Sequence, residues 1–207
     1  MRKKIKFISP SRILVYASLI VFSIILLYFD KEISVAAAQL RHPALDIFMS
    51  SFSMLASVEI GVPLVLVMAL MFTKTGESFW DLVIAMGCSV AAVFMIKEFA
   101  GRLRPYEAIP NLPAIAETGP SFPSMHSTAA LSFAAVVSKH RGKLTLMMYT
   151  IAVIVCVSRV YLGVHYATDV IAGAVIGDFI SVMAVENKAG SRVKNALMKL
   201  KRARLAQ

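Results

Sequence analysis

The run Ser158-Arg159-Val160-Tyr161-Leu162-Gly163-Val164-His165-Tyr166-Ala167-Thr168-Asp169 places a guanidinium, an imidazole and a carboxylate between two otherwise apolar stretches. An Arg or Asp at mid-bilayer depth costs about 2.5 to 3.5 kcal/mol on insertion scales. Side chains kept at that cost are either paired or used in chemistry. If the chain is helical from His165 onward, His165 and Asp169 share one face at i and i+4. The carboxylate then holds one ring nitrogen and frees the other, so the imidazole is aimed as a nucleophile or a base. Two earlier segments carry groups of the same kind: Lys97 and Arg104 ahead of Pro105, and Ser124 and His126 just after Pro123.

Membrane helices are the elements that must position these groups. With 207 residues, 58% of them hydrophobic, and a mean hydropathy of +0.72, the chain has too little polar surface for a soluble domain. It reads as a single all-α, multi-pass membrane domain over residues 1–207. A net charge of +10 would suit nucleic acid in a soluble protein, but here Lys and Arg flank apolar segments, so no nucleic-acid partner is expected. Cys88 and Cys156 sit inside apolar runs without metal or redox spacing.

Apolar runs predict six transmembrane helices, near residues 13–29, 58–72, 79–100, 124–138, 144–159 and 165–185. The first is longer than the roughly 7 to 15 apolar residues of a signal peptide, so a retained helix is expected. Between the first two, Leu45, Phe48, Phe52 and Leu55 recur at spacings of three and four, which predicts an amphipathic helix along the membrane interface. Five of the eight prolines fall between residues 105 and 123, so residues 101–122 form a long loop. Gly173 and Gly177 have the small-x3-small spacing of close helix packing. Residues 188–207 form a basic tail. Most of the 22 Lys and Arg residues fall on the side of both termini, which makes that side cytoplasmic and puts Lys97, Arg104, Ser124, His126, Arg159, His165 and Asp169 on the other.

Three cations, two imidazoles and a hydroxyl gathered on one membrane side suit a multiply charged anion, and phosphate is the commonest. The helix that starts at Pro123-Ser124-Met125-His126 adds free N–H groups to such a site. No cluster has metal-ligand spacing, and no metal or other cofactor is expected.

These residues resemble the type 2 phosphatidic acid phosphatase (PAP2) superfamily. Lys97-Glu98-Phe99-Ala100-Gly101-Arg102-Leu103-Arg104-Pro105 fits its first motif, K-x6-R-P, and residues 158–169 fit its third, S-R-x5-H-x3-D. Pro123-Ser124-Met125-His126 is similar to the second, P-S-G-H, with Met125 in place of glycine. The resemblance implies that His165 attacks phosphorus to form a phosphohistidine while Asp169 fixes its tautomer. It implies that His126 protonates the leaving oxygen and then activates water. Lys97, Arg104, Arg159, Ser124 and the Met125 main-chain N–H would hold the phosphate oxygens.

Taken singly, Lys97 snorkelling to the headgroups, Arg104 as a loop charge or a structural His165–Asp169 pair would be unremarkable readings. Those readings do not account for the motif order or the shared membrane side. The expectation is a lipid phosphatase of the cell membrane, its site on the outer side and its partners the bilayer and a lipid phosphate. Undecaprenyl diphosphate is the first candidate substrate, with phosphatidylglycerophosphate, phosphatidic acid and lipid A as alternatives. A lipid phosphotransferase and a non-enzymatic anion transporter are the rivals, and the oligomeric state is left open.

Overall fold

A computed structural model describes residues 8–57 and 76–205. The helices are α1 (Pro10–Leu26), α2 (Asp30–Gln39), α3 (Pro43–Met54), α4 (Gly76–Ala100), the single turn α5 (Pro105–Ala108), α6 (Met125–His140), α7 (Thr145–Tyr161), α8 (Ala167–Glu186) and α9 (Ala189–Leu205). The described residues contain no strand.

Among the described residues, the stretches Ser78–Ala108, Gly142–Tyr161 and Ala167–Glu186 are long and apolar enough to cross a membrane. The pair α1 and α2, bent by 82°, adds a fourth if it is counted as one span. The span expected near residues 58–72 lies outside the described residues. Exposed Leu14, Phe22, Phe94, Phe99 and Leu146 leave apolar side chains on the outer surface of the bundle, as a lipid-facing protein requires.

α8 is the central helix. It packs against α1, α4, α6 and α7, most extensively against α6. Small residues permit that closeness. A Cβ on Gly173 would lie 2.4 Å from the Ser124 carbonyl oxygen, and one on Gly177 would lie 2.2 Å from that of Thr128. Buried hydroxyls hold the crossing: Thr128 Oγ1 donates to Gly173 O at 2.9 Å, and Ser132 Oγ to Gly177 O at 3.2 Å. The tight crossing fixes the start of α6, with Ser124 and His126, beside the start of α8.

α1 runs antiparallel to α8. Near its start, Arg12 Nη1 and Tyr16 Oη donate to Asp178 Oδ2 at 3.0 and 2.5 Å, and Tyr149 Oη donates to Asp178 Oδ1. Asp178, for which the sequence offered no role, thus ties α1 to α7 and α8. After α1 the chain bends so that Asp30 reaches Thr168. At the opposite end α9 docks on α4, where Asp81 accepts from the Gly190 N–H at 2.7 Å and pairs with His140.

The stretch that carries Leu45, Phe48 and Phe52 is a helix, α3, set off from α2 by the break at residues 40–42 ahead of Pro43. One expectation changes. α8 begins at Ala167, not His165, so His165 lies in the turn that leads into the helix. It meets Asp169 across the helix start instead of along one helical face.

The Gly177 contact generates a stability test. Gly177→Ala should lower the unfolding free energy by about 1–3 kcal/mol through overpacking. Gly87→Ala, whose Cβ would meet nothing within 4 Å, should be neutral or stabilising by up to about 1 kcal/mol. Thermal melts in detergent would check both.

Candidate active site

Three segments meet at the end of the bundle away from α9: the C-terminal end of α4 with the following loop, the start of α6, and the α7–α8 turn. At their centre lies Asp169, with no exposed side-chain surface. Its Oδ2 accepts from the Tyr166 N–H at 2.9 Å and from Ser121 Oγ, and its Oδ1 accepts from Arg102 Nη1 at 2.5 Å. As the third residue of α8 it also faces the helix N-terminus, where a negative charge is favoured.

His165 is 2% exposed, and its Nδ1 lies 3.6 Å from Asp169 Oδ2. That separation is beyond a hydrogen bond, and Nδ1 has no hydrogen-bond partner among the described residues. The arrangement still aims Nδ1 at the carboxylate and turns Nε2 away from it. Burial, opposed by Asp169, pushes the imidazole down to about 4, so the ring is neutral at physiological pH.

The cations surround this pair. Arg104 is buried; its Nε and Nη2 donate to Gly119 O and Thr118 O at 2.9 and 3.1 Å, and Nη1 to Val164 O and Glu117 Oε2, each at 3.0 Å. Arg159 is equally buried and donates from Nη1 to Ser53 Oγ and from Nη2 to Glu117 Oε1. Its Nε has no hydrogen-bond partner among the described residues, a cost that a bound anion would remove. Lys97 Nζ donates to Pro120 O and feels the charges of Arg104, Arg159, Glu117 and Asp169.

Ser124 is the N-cap of α6. Its Oγ accepts from Ser127 Oγ at 3.0 Å, and its N–H donates to Asp169 O at 3.0 Å. Met125 and His126 open the helix, where first-turn N–H groups have no intrahelical acceptor. His126 is close enough to Arg159, Glu117, His165 and Arg104 to interact electrostatically with all four. Every residue expected at the site is therefore in this one neighbourhood.

A profile of the PAP2 superfamily matches residues 78–189. The chain belongs to the PAP2 superfamily. It is 32% identical over 165 residues to phosphatidylglycerophosphatase B of Bacillus subtilis, covering 72% of this chain and 77% of that one. It is likewise 32% identical over 139 residues to undecaprenyl-diphosphatase of Sulfolobus acidocaldarius, covering 64% and 66%. The fold is similar to that of the transmembrane PAP2-type phosphatidylglycerolphosphate phosphatase of Bacillus subtilis, with a TM-score of 0.67 and 29% identity over 82% of this chain and 94% of that one.

Sequence reasoning missed five residues that the structure brings into this cluster: Asp30, Ser53, Arg102, Glu117 and Ser121. Arg102 is the most consequential. Its Nη1 bonds Asp169 and Thr168 Oγ1, its Nη2 bonds Asp30 Oδ2 at 2.8 Å, and its guanidinium lies 4.1 Å from the centre of the Tyr166 ring. It stands two residues before Arg104, inside the first motif, and that position was its only signal. Asp30, which also accepts from the Thr168 N–H at 3.2 Å, gave none beyond a carboxylate at the end of an apolar run.

Arg102 neutralises two buried carboxylates at once. Arg102→Met should therefore cost about 3–5 kcal/mol of stability, as expected when one partner of a buried pair is removed. Lys139→Met breaks the largely exposed pair with Glu186 and should cost no more than about 1 kcal/mol. Equal losses in chemical denaturation would contradict the reading of Arg102 as a structural counter-ion.

Proposed function

We propose that this chain is an integral membrane lipid phosphatase, a single domain that releases phosphate from a lipid head group through a phosphohistidine. One observation carries the proposal: His165 aims Nδ1 at the buried Asp169 within a cup formed by Lys97, Arg104 and Arg159. Counting α1, residues 58–72, α4, α6, α7 and α8 as spans gives six, with both termini cytoplasmic and the cup on the outer side. α3 then lies beside the cup, its Leu45 and Met49 packed on Tyr161 and Leu162 and its exposed Ile47 and Phe48 available to guide an amphiphile along the interface.

In this reading His165 Nε2 attacks the terminal phosphorus in line with the lipid oxygen. The P–N bond forms as the P–O bond breaks, and His126 gives its proton to the leaving oxygen. Water then attacks phosphohistidine, His126 takes the proton back, and orthophosphate leaves. Asp169 balances the positive ring that forms on His165. The cations and the first-turn N–H groups of α6, including that of Met125, hold the equatorial oxygens as charge shifts. Ser124 contributes its hydroxyl and caps the helix that presents those groups. Three fixed cations supply the charge stabilisation that a metal ion supplies elsewhere, so the reaction is proposed to be metal-independent.

The first candidate substrate is an isoprenoid diphosphate such as undecaprenyl diphosphate, which the resemblance to an undecaprenyl-diphosphatase supports. Phosphatidylglycerophosphate is the second, favoured because the phosphatidylglycerophosphatase match extends over more of the chain. Phosphate release from a lipid panel tests the choice. Fast release from phosphatidylglycerophosphate with none from undecaprenyl diphosphate would reverse the order. Release in the presence of a chelator should equal release without it.

Trapping with labelled phosphate should give a phosphoenzyme that His165→Ala abolishes; labelling at wild-type level would refute the nucleophile. Because the folded-state pKa of His165 lies near 4, the nucleophile stays neutral as pH falls from 7 to about 5 and is lost only through protonation below that. Phosphoenzyme formation should therefore hold its rate across that interval. A fall centred near 6.5 would mean an imidazole with ordinary solvation.

A further inference from the structure

Arg104 and Arg159 already share one anion, and it belongs to the protein. Glu117, in the Pro-rich loop, gives one carboxylate oxygen to each guanidinium. The rest of the loop is held by the same cations, Arg104 on the Thr118 and Gly119 carbonyls and Lys97 on that of Pro120. Tyr106 Oη accepts from the Glu117 N–H at 3.2 Å, and the Pro113 carbonyl packs so close to Gly163 that a Cβ there would lie 2.8 Å from its oxygen. The carboxylate thus sits between two phosphate-binding cations, in the geometry that two oxygens of a phosphoryl group would take. The field of Arg159 and Arg104 overrides the upward push of burial and brings the Glu117 carboxyl to about 2. It is ionised at any physiological pH.

We propose that Glu117, bridging Arg104 and Arg159, is an internal surrogate for phosphate that sets a charge threshold for substrates. Because it is tethered, it competes at an effective concentration in the millimolar range. A phosphodiester head group carries one negative charge, as Glu117 does, and gains nothing by replacing it. A terminal phosphate or diphosphate carries more charge and three free oxygens, so it outbids the carboxylate and also reaches Lys97 and the start of α6. The bulk phosphodiester lipids of the bilayer are then excluded from the cup, and substrates with a terminal phosphate are admitted. Glu117 is a specificity-determining residue, and the assignment rests on the phosphate-cup reading of the site.

The test compares the full-length wild type with Glu117→Gln in detergent micelles. Calorimetry with inorganic phosphate reads the cup directly, and hydrolysis of phosphatidic acid at rising phosphatidylglycerol content reads the threshold. Glu117→Gln should bind inorganic phosphate about tenfold more tightly, the scale of one charge-assisted hydrogen bond no longer contested. It should also become inhibited by phosphatidylglycerol, to which the wild type is indifferent. A residue that merely braced the two arginines would do the reverse, weakening phosphate binding on removal, and that result overturns the proposal. If Glu117→Gln does not fold, hydrogen exchange on the wild type decides: orthovanadate should raise exchange in residues 113–120, and unchanged exchange refutes displacement. Tighter phosphate binding without lipid hydrolysis in either protein would sustain the threshold and sink the phosphatase reading. Hydrolysis by both with unmoved phosphate affinity would do the opposite.

Discussion

The site depends on keeping one carboxylate ionised where no water reaches it. Asp169 has no exposed surface, and a buried charge is tolerated only when its partners replace the lost hydration. Here the replacement comes from four sources at once: Arg102 after α4, Ser121 in the Pro-rich loop, the Tyr166 N–H ahead of α8, and the α8 N-terminus itself. The carboxylate in turn accounts for much of the surrounding geometry. The main-chain oxygen of the same residue, Asp169, anchors Ser124, and therefore the start of α6. Through Arg102 the carboxylate reaches Asp30, and therefore the bend between α1 and α2. A helix bundle with loose ends would leave these segments free to separate, whereas this one converges on the carboxylate that His165 Nδ1 faces.

Packing delivers that convergence. The glycine-lined crossing of α6 and α8 brings backbones closer than any side chain would permit, and buried Thr128 and Ser132 satisfy the exposed carbonyls. At the far end Arg12, Tyr16 and Tyr149 pin α1 and α7 to Asp178. The bundle is thus fixed by polar contacts near both ends, with the lipid-facing surface left to apolar residues. This division suits a protein whose surroundings offer no hydrophobic drive for helix association.

Much of this was legible in the sequence because membranes make polar residues conspicuous. Lys97, Arg104, His126, Arg159, His165 and Asp169 stood out against apolar runs, and their order carried the family. What escaped shares a different property. Glu117 and Ser121 lie in a loop where polar residues are unremarkable, Ser53 lies on a helix read as interfacial, and Asp30 and Arg102 sit where a charge at a helix end is ordinary. Their significance comes from partners 13 to 138 positions away in the chain, which no local pattern reports. The start of α8 was misplaced for a related reason. Tyr166 has no N-cap side chain of the usual kind, and the cap is supplied by Asp169 reaching back to its N–H.

In the proposed mechanism a positively charged cup presents His165 Nε2 to phosphorus while Asp169 faces the opposite ring nitrogen. An experimental structure of the protein with orthovanadate tests this most directly. Vanadium is expected within bonding distance of His165 Nε2, its oxygens on Lys97, Arg104 and Arg159, and Asp169 still facing Nδ1. Vanadate bonded to His126, or lodged away from both histidines, would contradict it.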